Sequence, residues 1–193
     1  MSLSPVALEI LETMFLKGNP MKATQITIME DSKEVSSTNS SSKMSHLAEL
    51  TSRGYVNSPQ EELYVLTDEG KRALGIEPTT KETARTIMSY TPHDKSFNFY
   101  VDTDKPLHMH AHSLQDFANK LARVDLKAIE FHMNKDDFEA WFRCLGDQEL
   151  TKKTTILKEK KIMGEQLRLL LHDAVEQRCQ ELIELTEQTT PSH

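Results

Sequence analysis

Leu8, Ile10, Leu11, Met14 and Phe15 recur at helical spacing near the start of the chain. Ser4-Pro5 stands just ahead of them, a hydroxyl cap followed by proline at the first helical position, and Gly18 with Asn19-Pro20 ends the run. A second helix is predicted from about Met21 to Asp31, with Ile26 and Met29 facing inward. Ser32 to Ser42 is rich in Ser, Thr and Asn. Its first half reads as a turn and its second half as the opening of a third helix. Met44, Leu47 and Leu50 form the apolar stripe of that helix, and Gly54 supplies its left-handed cap. The period then changes. Tyr55-Val56 and Leu63-Tyr64-Val65-Leu66 read as short strands around a polar turn, Asn57 to Glu62. Thr67 caps a fourth helix that closes at Gly75.

Glu77-Pro78-Thr79-Thr80 reads as a linker, and Lys81 to Tyr90 as a connecting helix. Beyond it the pattern predicts strands over Phe97–Val101, Leu107–Ala111 and Ala128–Met133. It predicts helices over Leu114–Arg123, capped by Ser113, and from Asp136 onward. A long amphipathic helix runs from Gly164 to about Glu187 through Leu167, Leu170, Leu171, Ala174, Val175, Leu182 and Ile183, and the tail after Thr186 reads as frayed. The expected fold class is α+β, divided into residues 1–76, a linker and connecting helix at 77–90, and an α+β domain at 91–188 with the long helix at its C-terminal end.

The stretches Leu47-Ala48-Glu49-Leu50-Thr51-Ser52-Arg53-Gly54-Tyr55-Val56 and Leu63-Tyr64-Val65-Leu66-Thr67-Asp68-Glu69-Gly70-Lys71 resemble the winged helix-turn-helix regulators of archaea and bacteria. The resemblance covers roughly Ser4 to Gly75. It implies binding of double-stranded DNA, transcription regulation and a homodimer spanning two half-sites. By position, Asn39, Ser40, Ser41, Ser42, Lys43, Ser45 and His46 would occupy the exposed face or N-terminal end of the recognition helix. Hydroxyls and Asn suit phosphates or base edges, while Lys43 and Arg53 suit phosphates. From Phe97 to Leu185 the chain resembles an uncharacterised small α+β domain of archaea and bacteria. The pieces that carry it are Ala111 to Phe117, Ile129 to His132, Asp137 to Trp141, Leu145 to Leu150 and Gly164 to Arg168. That likeness implies a fold and no activity; an effector-sensing or partner-binding role is the expectation for this half.

Charge pulls against the DNA reading. The whole chain carries −7, and residues 1–78 hold seven Lys and Arg against eleven Asp and Glu, a net −4. Glu61 and Glu62 occupy the wing, where basic residues are expected. Non-specific DNA affinity comes mostly from neutralised phosphates, so a protein-interaction adaptor is the alternative. A continuous strip of Lys43, Arg53, Lys71 and Arg72 would favour DNA. The Lys152, Lys153, Lys158, Lys160, Lys161 run reads as solvated helix surface, or as a contact for DNA backbone or an acidic partner.

His108, His110 and His112 would share one face of a strand, as histidines do in some zinc sites. His132 would join them if its strand paired alongside, making a transition-metal sensor. The other reading is a polar, solvated face, with His112 helping to cap the next helix. Glu130 and His132 are placed to meet Asp136 or Asp137 in a structural hydrogen bond, and Phe138 and Trp141 read as core. Cys144 and Cys179 form neither a CxxC pair nor a disulfide framework. No phosphate-cradling glycine loop, nucleophile elbow or HExxH is present, so no enzymatic role is expected. Without a signal peptide or an apolar run near membrane length, the expectation is a cytoplasmic protein with no membrane association.

Overall fold

The computed structural model describes residues 3–18, 20–26 and 38–187, with the side chains of 38–43 outside the description. The chain is mixed α+β and divides after Pro78 into two compact units, Met1–Pro78 and Thr79–His193.

In the first unit, α1 (Pro5–Lys17) begins where Ser4 Oγ accepts from the Ala7 N–H at 3.2 Å. It buries Ile10, Leu11, Met14 and Phe15. The chain then departs from the helix expected over Met21–Asp31. Met21–Lys22 is a strand, β1, followed by a 3-10 turn at Ala23–Gln25; residues 27–31 lie outside the described residues. Met21 and Lys22 pair with Tyr64 and Leu63, a backbone partner that periodicity cannot reveal.

α2 (Thr38–Ser52) buries Leu47 and Leu50, while Met44, expected in the same stripe, is 48% exposed. It closes with the Gly54 N–H donating to Thr51 O and the Tyr55 N–H donating to Leu50 O, around Gly54 at φ 76°. β2 (Val56–Gln60) and β3 (Leu63–Leu66) form a hairpin. The expected six-residue turn is mostly strand, so only Glu61 and Glu62 remain at the tip. The sheet order is β1-β3-β2. Thr67 then caps α3 (Asp68–Ala73), accepting from the Gly70 N–H at 3.0 Å and donating to Gly54 O at 2.7 Å. Gly70 has no alternative, because a Cβ there would collide with the Tyr55 carbonyl oxygen.

In the second unit, α4 (Lys81–Ile87) is capped by Thr80 and packs Ala84 and Ile87 inward. The segment read as a connector therefore belongs to this unit. β4 (Phe97–Asp102) and β5 (Lys105–Ala111) form an antiparallel hairpin. α5 (Leu114–Leu121) follows, with Ser113 Oγ accepting from the Asp116 N–H at 3.1 Å. The strand expected over Ala128–Met133 is instead helix α6, Leu126–Asn134. Asp125 caps it, accepting from the Lys127 N–H at 2.9 Å. Its buried residues Ala128, Ile129, His132 and Met133 follow helical spacing. Ile-Glu-Phe-His-Met satisfies alternation and helical spacing alike, and the cap decides.

α7 (Asp137–Leu145), α8 (Gln148–Glu159) and α9 (Gly164–Glu187) complete the unit. Phe97, Phe99, Phe117, Phe138 and Phe142 are buried together, with Phe97 and Phe117 rings 5.2 Å apart and Phe117 and Trp141 rings 5.0 Å apart. The Trp141 indole N–H donates to Lys95 O at 3.0 Å, which lets a large polar-tipped ring sit in that core. α9 threads Leu167, Leu171, Ala174, Val175, Cys179 and Leu182 through the interior. Cys179 is so enclosed that its thiol is pushed up to about 12 by burial. Lys153, expected on a solvated surface, is buried. Among the described residues, no helix is long and apolar enough to cross a membrane.

One charge sits at the centre of these helices. Arg178 of α9 is 3% exposed and lies 3.0 Å from Asp147, which is 0% exposed, and 3.0 Å from Glu149. It also donates to Thr79 Oγ1 at 2.6 Å and pairs with Glu181 at 3.1 Å. Removing one partner of a buried ion pair strands the other charge. Arg178→Met is therefore expected to lower unfolding free energy by about 3–5 kcal/mol, read from urea denaturation of the full chain. Adding Asp147→Asn and Glu149→Gln should restore part of the loss. A loss under roughly 1 kcal/mol, in the range of an exposed pair, would mean that the network does not hold the unit together.

Candidate functional site

The candidate nucleic-acid face of the first unit is built on α2. Asn39, Ser40, Ser41, Ser42 and Lys43 fall in its first turns, on backbone that is helical, with their side chains outside the description. Leu47 and Leu50 are buried, so the opposite side of the helix faces outward, carrying exposed Ser45, Ala48, Glu49 and Ser52. His46 is half-buried and its Nδ1 lies 3.8 Å from Glu49 Oε2. Arg53 donates to Glu49 Oε1 at 3.2 Å and to the Tyr55 hydroxyl at 3.3 Å, with its guanidinium 5.0 Å from the Tyr55 ring centre. Arg53 and the His46 imidazole thus converge on one carboxylate, Glu49, which was not among the expected site residues. The i,i+3 and i,i+4 spacing to His46 and Arg53 was the signal that marked it.

Arg72, another member of the expected basic strip, is engaged by carboxylates in the same way. Arg72 pairs with Glu69 at 2.6 Å and with Glu77 at 3.5 Å. The Glu69 hydrogen bond, then its charge, raise the Arg72 guanidinium above its ordinary range. The hairpin tip exposes Glu61 and Glu62, the latter at φ 63°.

In the second unit the three sequence-selected histidines do not share a face. β4 advances two residues between the pairs Asn98↔His110 and Tyr100↔Pro106, while β5 advances four. His108 sits in the resulting bulge at φ 53°, outside the strand alternation. His110 Nδ1 is hydrogen-bonded to Asn98 Oδ1, and His112 Nδ1 donates to Thr91 O at 3.1 Å. His93 takes the place expected for His108. Its ring centre is 4.9 Å from that of His110 and 5.9 Å from that of His112, and Tyr90 stacks on His112 at 5.1 Å. The Thr91 N–H donates to His112 O at 2.6 Å, which brings this upstream loop against β5. No spacing in the sequence marks His93. As the side chains stand, no three His, Cys, Asp or Glu among the described residues are arranged to hold a metal ion. Burial, then the neighbouring imidazoles His93, His112 and His108, lower the His110 pKa and favour the neutral ring.

His132 does not join that cluster. It lies on α6, 3% exposed, with Nδ1 2.7 Å from Asp137 Oδ2 and Nε2 accepting from the Tyr100 N–H at 2.8 Å. The backbone donor fixes the tautomer: Nε2 is bare and the proton sits on Nδ1, toward Asp137. Glu130 turns elsewhere, accepting from the Gly164 N–H at 3.2 Å. With both ring nitrogens engaged, His132 pins β4 to α6 and α7 and has no lone pair left for acid-base work. Beside it opens a cleft of about 330 Å³. Asn98, Tyr100, Phe131, Lys135, Asp137 and Trp141 are among its lining residues.

Comparison of the chain with protein-family models, with curated proteins and with solved structures returns no match.

Burial pulls the His132 pKa below 6.5, and the Asp137 hydrogen bond and charge only partly oppose it. Its folded value is thus lower than its unfolded value. As pH falls through about 6.5, the unfolded chain takes up a proton that the folded chain resists, and stability is lost. His132→Gln removes that proton. The stability gap between wild type and His132→Gln, from denaturant midpoints, should narrow as pH falls from about 7 to about 5. A gap that stays constant or widens contradicts the buried neutral imidazole.

Proposed function

We propose that the chain is a DNA-binding regulator, active as a homodimer, in which residues 1–78 form a winged helix-turn-helix reader and the α+β unit receives an effector or a partner. The observation that carries this reading is α2 itself. It is held from behind by fully buried Leu47 and Leu50, it turns Ser45, Glu49 and Ser52 outward, and the β2–β3 hairpin follows it directly. A rigidly backed helix with a polar outer face, next to a hairpin, suits insertion into the major groove. The small side chains that point outward suit polar contacts with base edges and phosphates.

The charge arrangement makes this a weak, restrained reader. Glu49 already occupies Arg53 and His46, and Glu69 and Glu77 occupy Arg72. Phosphates must displace these carboxylates before they gain a cation. Few counterions are then released, and affinity should depend only gently on salt.

A second reading rests on Glu61 and Glu62, exposed together at the hairpin tip. An acidic tip suits a basic protein surface better than a phosphate backbone, and favours an adaptor that docks protein through the same unit.

Fluorescence anisotropy of the full chain on duplex DNA at about 50 mM salt separates the two. The DNA reading expects binding with a shallow salt slope. Glu49→Gln should tighten it about twofold, the roughly 0.3–0.5 kcal/mol of an exposed i,i+4 pair, and steepen the slope by about one unit as Arg53 reaches phosphate. Absence of binding in wild type and Glu49→Gln alike would sink it and leave the adaptor reading.

A further inference from the structure

We propose that His93, His110 and His112 form a binding site for one divalent transition-metal ion of the zinc, cobalt or nickel class, open to a water or an exogenous ligand in its fourth position. The site is independent of whether the first unit binds DNA.

Two of the three ligands are already set as metal ligands are set. The Thr91 carbonyl oxygen accepts from His112 Nδ1–H. Asn98 Oδ1 faces His110 Nδ1 while the Asn98 amide nitrogen donates to Ser96 O at 3.3 Å. That orientation makes Oδ1 the acceptor and puts the His110 proton on Nδ1. In both rings the lone pair is therefore on Nε2. A ligating histidine almost always has its other ring N–H anchored on a carbonyl, carboxylate or water, which fixes the tautomer and aims the ring. Here a backbone carbonyl and an amide oxygen supply that second contact. His112 is held further by the Tyr90 ring, stacked at an interplanar angle of 6°.

The spacing fits. A metal–imidazole bond of about 2.0–2.1 Å puts each ring centre roughly 3 Å from the ion, and two such rings roughly 5 Å apart in a tetrahedral site. His93 stands 4.9 Å from His110 and 5.9 Å from His112. The rings do not yet converge on one point. His93 is the ligand that adjusts, because it is exposed and sits on a three-residue 3-10 turn. Exposed side chains change rotamer in picoseconds to nanoseconds. Three neutral nitrogens suit borderline ions rather than calcium or magnesium, which require oxygen ligands.

His93 also separates this site from the set suggested by spacing. His108 stands in the bulge, and the ring that stacks edge-on to His110 is that of His93.

Titration of the full, tag-free chain with Co²⁺, followed by its visible d–d absorption, tests the proposal. One Co²⁺ per chain with a tetrahedral or five-coordinate spectrum is expected, displaced by Zn²⁺. His93→Ala should weaken binding at least tenfold without changing the melting temperature, since its side chain is exposed. His108→Ala should leave binding unchanged. His110→Gln and His112→Gln should each abolish the spectrum. The proposal is overturned if no Co²⁺ binds, if His93→Ala binds like wild type, or if His108→Ala costs as much as His93→Ala. Should His93→Ala lower the melting temperature, His93→Gln gives the same comparison with the polar side chain kept.

Discussion

A guanidinium in a dry interior must be surrounded before it can be tolerated, and Arg178 organises the second unit by that requirement. Asp147 and Glu149 meet it from α8, Glu181 from its own helix, and Thr79 from the strand of chain entering α4. Burial alone would lower the Arg178 pKa; the charges of Asp147 and Glu149 reverse the direction and keep it raised. Asp147 serves twice, since its other oxygen accepts from the Leu150 N–H and starts α8. Desolvation costs so much that such a network adds little net stability over an apolar core of equal volume. What it adds is direction. Leucines pack α8 and α9 in several registers, whereas a planar fork with fixed acceptors fits one.

The same rule governs the smaller polar contacts and sorts the histidines. His132 is admitted to the aromatic core because both of its nitrogens are matched, one by Asp137 and one by a backbone N–H. That full satisfaction makes it structural. His110 and His112 are matched on Nδ1. A half-matched imidazole is costly in a core and useful at a surface. The contrast between these rings separates scaffold from candidate site more sharply than counting histidines does.

What was legible in the sequence was local. Ser4-Pro5, Gly54, Thr67 and Ser113 announced their helix ends, because caps and left-handed turns involve residues three or four apart. The long final helix was legible through its apolar spacing. The contact between His132 and Asp137 was also foreseen, although the strand assigned to His132 was a helix; the short turn between α6 and α7 brings the two side chains together. The strand expected over Ala128–Met133 missed a local signal, the Asp125 cap; three other failures were non-local. Met21 became a strand because β3 offered it a partner far along the chain. His108 left its face because the register of β5 slips against β4. His93 entered the cluster through a backbone bond between Thr91 and His112. No periodicity encodes these three events.

On the proposed DNA reading of the first unit, Glu49 bears directly on the cation nearest the candidate face. An exposed i,i+4 pair is worth only about 0.3–0.5 kcal/mol, so the Arg53–Glu49 contact is a light restraint. A single stray phosphate, offering a comparable gain at physiological salt, displaces it with little profit. A duplex that also engages Ser45 and its neighbours recovers the cost through contacts made at the same time. The carboxylate therefore subtracts the same free energy from every encounter and weakens specific and non-specific complexes by the same factor. On the proposed reading, the deficit of positive charge lowers overall affinity, and discrimination between sequences rests on the base-edge contacts that the outer face of the helix makes.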